Sequence, residues 1–146
     1  MKYNLINATD KDTNVLIKYK LANIFDYANG LSKEETAKIK RYVNSHIPKK
    51  LNNYKIIIHD NIIIGCILVE KMDDGVLLDE IYIEKNYRNK GLGTKLIKDV
   101  ILNNNIIYLW VYKENVKAIS LYKKLGFNTI EETETRLFMA NRTGSE

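Results

Sequence analysis

Apolar residues recur along this chain with periods that switch between helix-like and strand-like, and the switches mark its elements. Lys2 to Ile6 alternates weakly and predicts a first strand. From Asp10 onward Val15, Leu16, Tyr19, Ile24, Phe25 and Ala28 fall near helical spacing, up to a stop at Asn29-Gly30. A second helix is expected from Ser32, where Glu35 completes a capping box and Ile39, Tyr42 and Val43 share a face; Pro48 ends or follows it. Two β-prone runs, Tyr54 to His59 and Ile62 to Lys71, flank Asp60-Asn61, a pair that tolerates positive φ and suits a tight hairpin. Asp73-Asp74-Gly75 then turns the chain into a strand from Val76 to Glu84. The pattern continues with a helix from Thr94 to Asn104, with Leu96, Ile97, Val100 and Ile101 inward, and a buried strand from Ile106 to Tyr112. A helix from Asn115 to Leu125 closed by Gly126 and a β-pair, Thr129 to Glu132 with Arg136 to Ala140, complete it.

The order β-α-α-β-β-β-α-β-α-β-β predicts an α/β protein with one mixed, mostly antiparallel sheet. A single proline and the lack of repeats or low-complexity tracts make residues 1–146 one expected domain. The composition, 45% hydrophobic and 28% charged, is that of a soluble globular protein. One cysteine excludes an intramolecular disulfide, and with neither a leader pattern nor an apolar run of about 18 residues the expectation is a cytoplasmic protein with no membrane partner. A net charge of +5 favours an anionic ligand. Basic runs do not exceed Lys40-Arg41 or Lys49-Lys50, and such scattered lysines argue against nucleic acid as the partner.

The stretch Arg88-Asn89-Lys90-Gly91-Leu92-Gly93-Thr94 sits between a strand and a helix. A glycine-containing turn there gathers unpaired backbone N–H groups at the positive end of a helix dipole, which makes an anion site. A Walker A loop would need glycine at position 88 and Lys-Ser/Thr after Gly93; the chain has Arg88 and Thr94-Lys95. A dinucleotide fingerprint would need a small residue where Leu96 stands.

What remains, Arg-x-x-Gly-x-Gly, resembles the pyrophosphate loop of the GNAT superfamily of N-acetyltransferases. A second block supports the resemblance: Leu109-Trp110-Val111-Tyr112, then Asn115, Ala118, Tyr122, Leu125, Gly126 and Phe127. The predicted element order is also that of the family, so the resemblance covers almost the whole chain. It implies a GNAT-like fold in which the strands matching Val76 to Glu84 and Ile106 to Tyr112 splay apart, and it implies acetyl-CoA as cosubstrate. The backbone of Ile81, Tyr82 and Ile83 would then pair with the pantetheine arm, and the N–H groups of Arg88, Asn89, Lys90, Gly91, Leu92, Gly93 and Thr94 would hold the pyrophosphate. Arg88 and Lys90 would add charge-assisted contacts. No metal is required.

Asn115 and Tyr122 are seven positions apart, which puts them on nearly one helix face about 10 Å from each other. A phenol of reference pKa ~10 can protonate a departing thiolate of ~8.5. The plainer readings are that Asn115 only caps its helix and Tyr122 only packs against Ala118, Ile119 and Leu125. The resemblance favours cofactor binding for both and a catalytic role for Tyr122. A base is also needed, because an alkylammonium acceptor of pKa ~10.4 is protonated at neutral pH. Family members often place glutamate at the positions matching Leu77 or Trp110, and neither is a carboxylate here. Asp79 shares a strand face with Leu77 and is the best substitute, whereas Glu80 points to the opposite face. A surface role for Asp79, with a water chain removing the proton, stays open.

The resulting expectation is an N-acetyltransferase that moves acetyl from acetyl-CoA to a primary amine in a ternary complex, as a monomer or homodimer. The alternatives are an inactive acyl-CoA-binding domain of the same fold and a basic nucleic-acid module. Glu131, Glu132 and Glu134 crowd the turn before the last strand and, with Asp79, predict a cationic acceptor. Cys66 lies in an apolar run and reads as a small hydrophobe, and His46 and His59 have no metal-ligand spacing.

Overall fold

The computed structural model describes residues 1–143 of the chain. Its elements follow the predicted order: β1 (Asn4–Asn7), α1 (Thr13–Phe25), α2 (Lys33–Lys50), β2 (Tyr54–His59), β3 (Ile62–Met72), β4 (Gly75–Ile83), α3 (Leu92–Asn103), β5 (Ile107–Tyr112), α4 (Val116–Lys124), β6 (Asn128–Glu132) and β7 (Arg136–Asn141). Hydrogen bonding orders the strands β1-β2-β3-β4-β5-β7-β6 as a seven-stranded sheet. The β4–β5 pair is parallel, while β1–β2, β2–β3, β5–β7 and β6–β7 are antiparallel. Among the described residues, no helix is long and apolar enough to cross a membrane. By its contacts the chain divides into two compact units, and it passes between them inside β3 after Leu68, inside β4 after Asp79 and again after Glu84.

The first unit comprises residues 2–68 and 80–84. Its α2 starts as the sequence predicts: Ser32 Oγ accepts from Glu35 N at 3.0 Å, and Glu35 Oε1 accepts from Ser32 N at 3.2 Å. The helix runs past Pro48 to Lys50, two residues further than the proline suggests. Pro48 lies in the last turn, where its missing N–H removes only one helical bond, and the fully buried Val43 and Ile47 hold that turn against the core. Helix α1 is shorter than expected at both ends, opening after a 3₁₀ turn at Asp10–Asp12 and closing at Phe25. Leu16 and Tyr19 of α1 join Val43 and Ile47 of α2 over Tyr54, Ile56, Cys66 and Leu68 of the strands. Burying a side chain of this size contributes roughly 1.5–3 kcal/mol each.

Between β2 and β3 the turn residues Asp60 and Asn61 both take positive φ, 50° and 64°, as a two-residue type I′ hairpin requires. A Cβ at Gly65 would collide with the Tyr82 carbonyl oxygen, so that strand position admits no side chain. The Cys66 thiol is buried, and desolvation pushes its pKa well up, with Glu80 adding and Lys20 opposing. It is held as a neutral core group and is unsuited to nucleophilic work.

The second unit gathers Met1, residues 69–79 and the chain from Lys85 onward. Strand β5 pairs with β7 along its whole length, from Ile107↔Asn141 to Tyr112↔Arg136. With β4 its parallel ladder comprises Val76↔Ile107 and Leu77↔Tyr108, both at the start of β4. Ile107, Leu109 and Val111 alternate inward on β5, and Leu92, Leu96 and Ile97 form the buried stripe of α3.

Candidate functional site

The loop from Arg88 to Thr94 has the backbone that an anion site needs. Asn89 and Gly91 take positive φ, 62° and 82°, so the chain makes a left-handed approach to α3. Gly91 is the N-cap of that helix, and its carbonyl accepts the first helical bond from Lys95 N at 3.1 Å. Leu92 and Gly93, which the sequence reading places before the helix, join Thr94 in the first turn of α3. Their N–H groups are therefore the ones a helix leaves without intrahelical acceptors. A Cβ built on Gly91 would meet nothing within 4 Å, so open space adjoins these donors. Buried Leu92 anchors the turn, while Lys90 is exposed and lies 5.7 Å over the Tyr87 ring. Asn89 Oδ1 accepts from Lys117 Nζ of α4 at 3.2 Å, which ties the loop to the second candidate element.

Helix α4 begins at Asn115, whose Oδ1 accepts from Ala118 N at 3.2 Å, so this residue caps as its position predicts. The other end is a Schellman motif: Phe127 N donates to Tyr122 O at 2.9 Å and Gly126 N to Lys123 O at 3.1 Å, with Gly126 at φ 100°. The Tyr122 ring, 8% exposed, tilts against Phe127 with centroids 5.7 Å apart. Backbone and ring together fix where Tyr122 sits, which a proton donor requires.

The open N-terminus of α3 and the capped helix carrying Tyr122 both lie in the part of the chain that known proteins resemble. The model of the acetyltransferase (GNAT) family matches residues 22–127. The chain belongs to this family. The spermidine N(1)-acetyltransferase of Escherichia coli (strain K12) is 42% identical over 66 residues, which is 41% of this chain and 36% of that protein. The thialysine N-epsilon-acetyltransferase of Mus musculus is 42% identical over 64 residues, 40% of this chain and 38% of that one. The chain spans less than two fifths of the length of the curated relatives it matches. PaiA N-acetyltransferase from Thermoplasma acidophilum in complex with coenzyme A superposes with a TM-score of 0.74 at 19% identity, over 97% of this chain and 99% of that one, and so has the same fold.

Within this GNAT chain the remaining expected site residues lie on β4. Asp79 is half-buried and belongs to the second unit, as do the loop, Asn115 and Tyr122. Ile81, Tyr82 and Ile83 belong to the first unit, where Tyr82 stacks on Tyr19 with centroids 4.4 Å apart. Trp110 is 39% exposed, with Phe138 at 4.6 Å and the Arg136 guanidinium 4.8 Å over its ring. Of the three acidic turn residues, Glu132 is paired with Lys113 Nζ at 2.7 Å, and that hydrogen bond lowers its pKa.

One group escaped the sequence reading. Glu80, which strand alternation puts on the face opposite Asp79, is buried in the first unit. The Tyr54 hydroxyl donates to Oε1, Asn23 Nδ2 lies 3.3 Å from Oε2, and Lys20 Nζ is 4.0 Å from Oε1. The signal was present in the alternation Val76, Leu78, Glu80, which puts an acid at an inward strand position.

Proposed function

We propose that the chain is an acetyl-CoA-dependent N-acetyltransferase that passes the acetyl group directly to a primary amine, with residues 1–146 working as one catalytic domain. The observation that carries the reading is the α3 N-terminus, where Gly91 at φ 82° opens free space beside the first-turn N–H groups. On this reading the groups from Arg88 to Thr94 hold the pyrophosphate, and the backbone of Ile81, Tyr82 and Ile83 pairs with the pantetheine amides. Asn115 contributes to the cofactor site through α4. An N–H at the β4 edge polarises the acetyl carbonyl as its oxygen gains charge. Asp79 takes a proton from the ammonium, the amine attacks the carbonyl carbon, and the C–S bond breaks as the C–N bond forms. Tyr122 protonates the leaving thiolate and regains its proton from the new amide nitrogen, which sheds its second one, while Asp79 releases the first to solvent.

The acceptor is proposed to be cationic. Spermidine and thialysine, the substrates in the relatives' names, both carry ammonium groups, and Glu131 and Glu134 are exposed beside β7. Lys113 already offsets Glu132, so the test uses the other two. Reversing Glu131 and Glu134 to Lys should raise KM for spermidine severalfold at low salt and leave KM for acetyl-CoA unchanged, measured by thiol release. Equal spermidine KM values in variant and parent contradict the cationic-acceptor reading. A panel of polyamines, amino-acid side-chain amines and neutral amines sets the acceptor class. Binding of acetyl-CoA with no thiol release from any amine would leave the inactive acyl-CoA-binding domain as the better account.

A further inference from the structure

The part of β4 in the first unit has one edge against β3. Glu84 N donates to Ile64 O at 2.8 Å, and the Tyr82 carbonyl oxygen lies against Gly65, so residues 82 and 84 turn their backbone polar groups to β3. Backbone groups alternate in direction along a strand, which points those of Ile81 and Ile83 to the opposite edge. An edge carbonyl in a folded protein needs a partner. For Ile81 that partner is a side chain of α1, Asn23, whose Nδ2 lies 3.3 Å from Ile81 O.

The same nitrogen lies 3.3 Å from Glu80 Oε2. Both partners are acceptors, so the amide orientation is fixed: turning it would set Oδ1 against two oxygens. Glu80 is itself buried, its side chain 1% exposed, and it is contacted by the Tyr54 hydroxyl and Lys20. Leu16 and Tyr19 of α1 pack in the apolar core. A buried carboxylate is costly without partners, and this one directs a side-chain amide onto one backbone carbonyl.

We propose that Asn23 is a positioning residue for the cofactor: held by Glu80, it fixes the Ile81 peptide so that the second lone pair of its carbonyl meets an amide N–H of the pantetheine arm. A carbonyl oxygen carries two lone pairs, and with Asn23 Nδ2 at 3.3 Å on one side the oxygen has the capacity for a second donor. The inference rests on the reading of the β4 edge as the pantetheine track.

The test is a calorimetric titration of parent and Asn23→Ala with coenzyme A and, separately, with its pantetheine-free fragment 3′-phospho-ADP. The dissociation constant for coenzyme A should rise roughly fivefold, the worth of one hydrogen bond, while that for the fragment stays as in the parent. Circular dichroism and the ligand-free Tm check that the variant folds. An unchanged or lower constant for coenzyme A overturns the proposal, the lower value meaning that Asn23 competes for the carbonyl. Equal weakening of both ligands also overturns it, as general loosening of the fold. A parent that binds neither ligand refutes the cofactor reading itself, whereas a parent that binds both with a variant ratio of one refutes only the role of Asn23.

Discussion

Replacing Gly91 with valine is expected to abolish the rise in Tm that acetyl-CoA gives the parent protein. At a hundredfold excess over Kd, ligand binding adds about 2.7 kcal/mol to the folded state, a rise of roughly 5–10 °C for a chain of this size. Gly91 takes φ 82° as the N-cap of α3, a conformation that a β-branched residue adopts only under strain. Its missing side chain faces open space, so the ligand-free variant carries backbone strain without a steric clash, and the ligand-induced rise is read against the variant's own ligand-free Tm. Gly91→Ala separates the two effects, because it shares part of the strain and adds only one methyl. A folded Gly91→Val protein with the parent's acetyl-CoA affinity would falsify the phosphate-loop assignment.

Tyr122→Phe should lower turnover by about 10²-fold or more and leave acetyl-CoA affinity nearly unchanged. The substitution is conservative for the fold: the ring still packs on Phe127, and the carbonyl still accepts from Phe127 N in the Schellman motif. Only the hydroxyl is lost. A group used in the transition state lowers kcat and kcat/KM together, and steady-state kinetics with acetyl-CoA as the varied substrate read that pattern. Unchanged turnover would reduce Tyr122 to a packing residue of α4.

Signals that work over a few residues were legible in the sequence. The Ser32–Glu35 capping box, the Asp60-Asn61 hairpin and the Gly126 helix stop each act through hydrogen bonds or φ values within one turn, and each is found where it was read. The element order followed from these punctuation marks and the change of period. Local boundaries were less secure where tertiary packing competes: Val43 and Ile47 carry α2 past Pro48, and Leu92 draws the start of α3 into what reads as a loop.

The parts of the candidate site that join distant positions were not legible. Asn23 and Glu80 are 57 residues apart, and only the folded chain shows that an inward acid on β4 meets an amide on α1. The pairing within the acidic turn was also out of reach: Glu131, Glu132 and Glu134 read as accumulated negative charge, and only the fold shows that Lys113, on another segment, pairs with Glu132. Sequence spacing places Asn115 and Tyr122 on one helix, and the structure adds how firmly both are held.

The most direct test of the central claim is single-turnover transfer followed by mass spectrometry, with acetyl-CoA isotopically labelled in the acetyl group and spermidine or thialysine as acceptor. The account predicts that the labelled acetyl group appears on the amine as free coenzyme A is released in equal amount, and that neither occurs without protein. Labelled acetyl-CoA that binds to the protein and stays intact with every amine offered would contradict it.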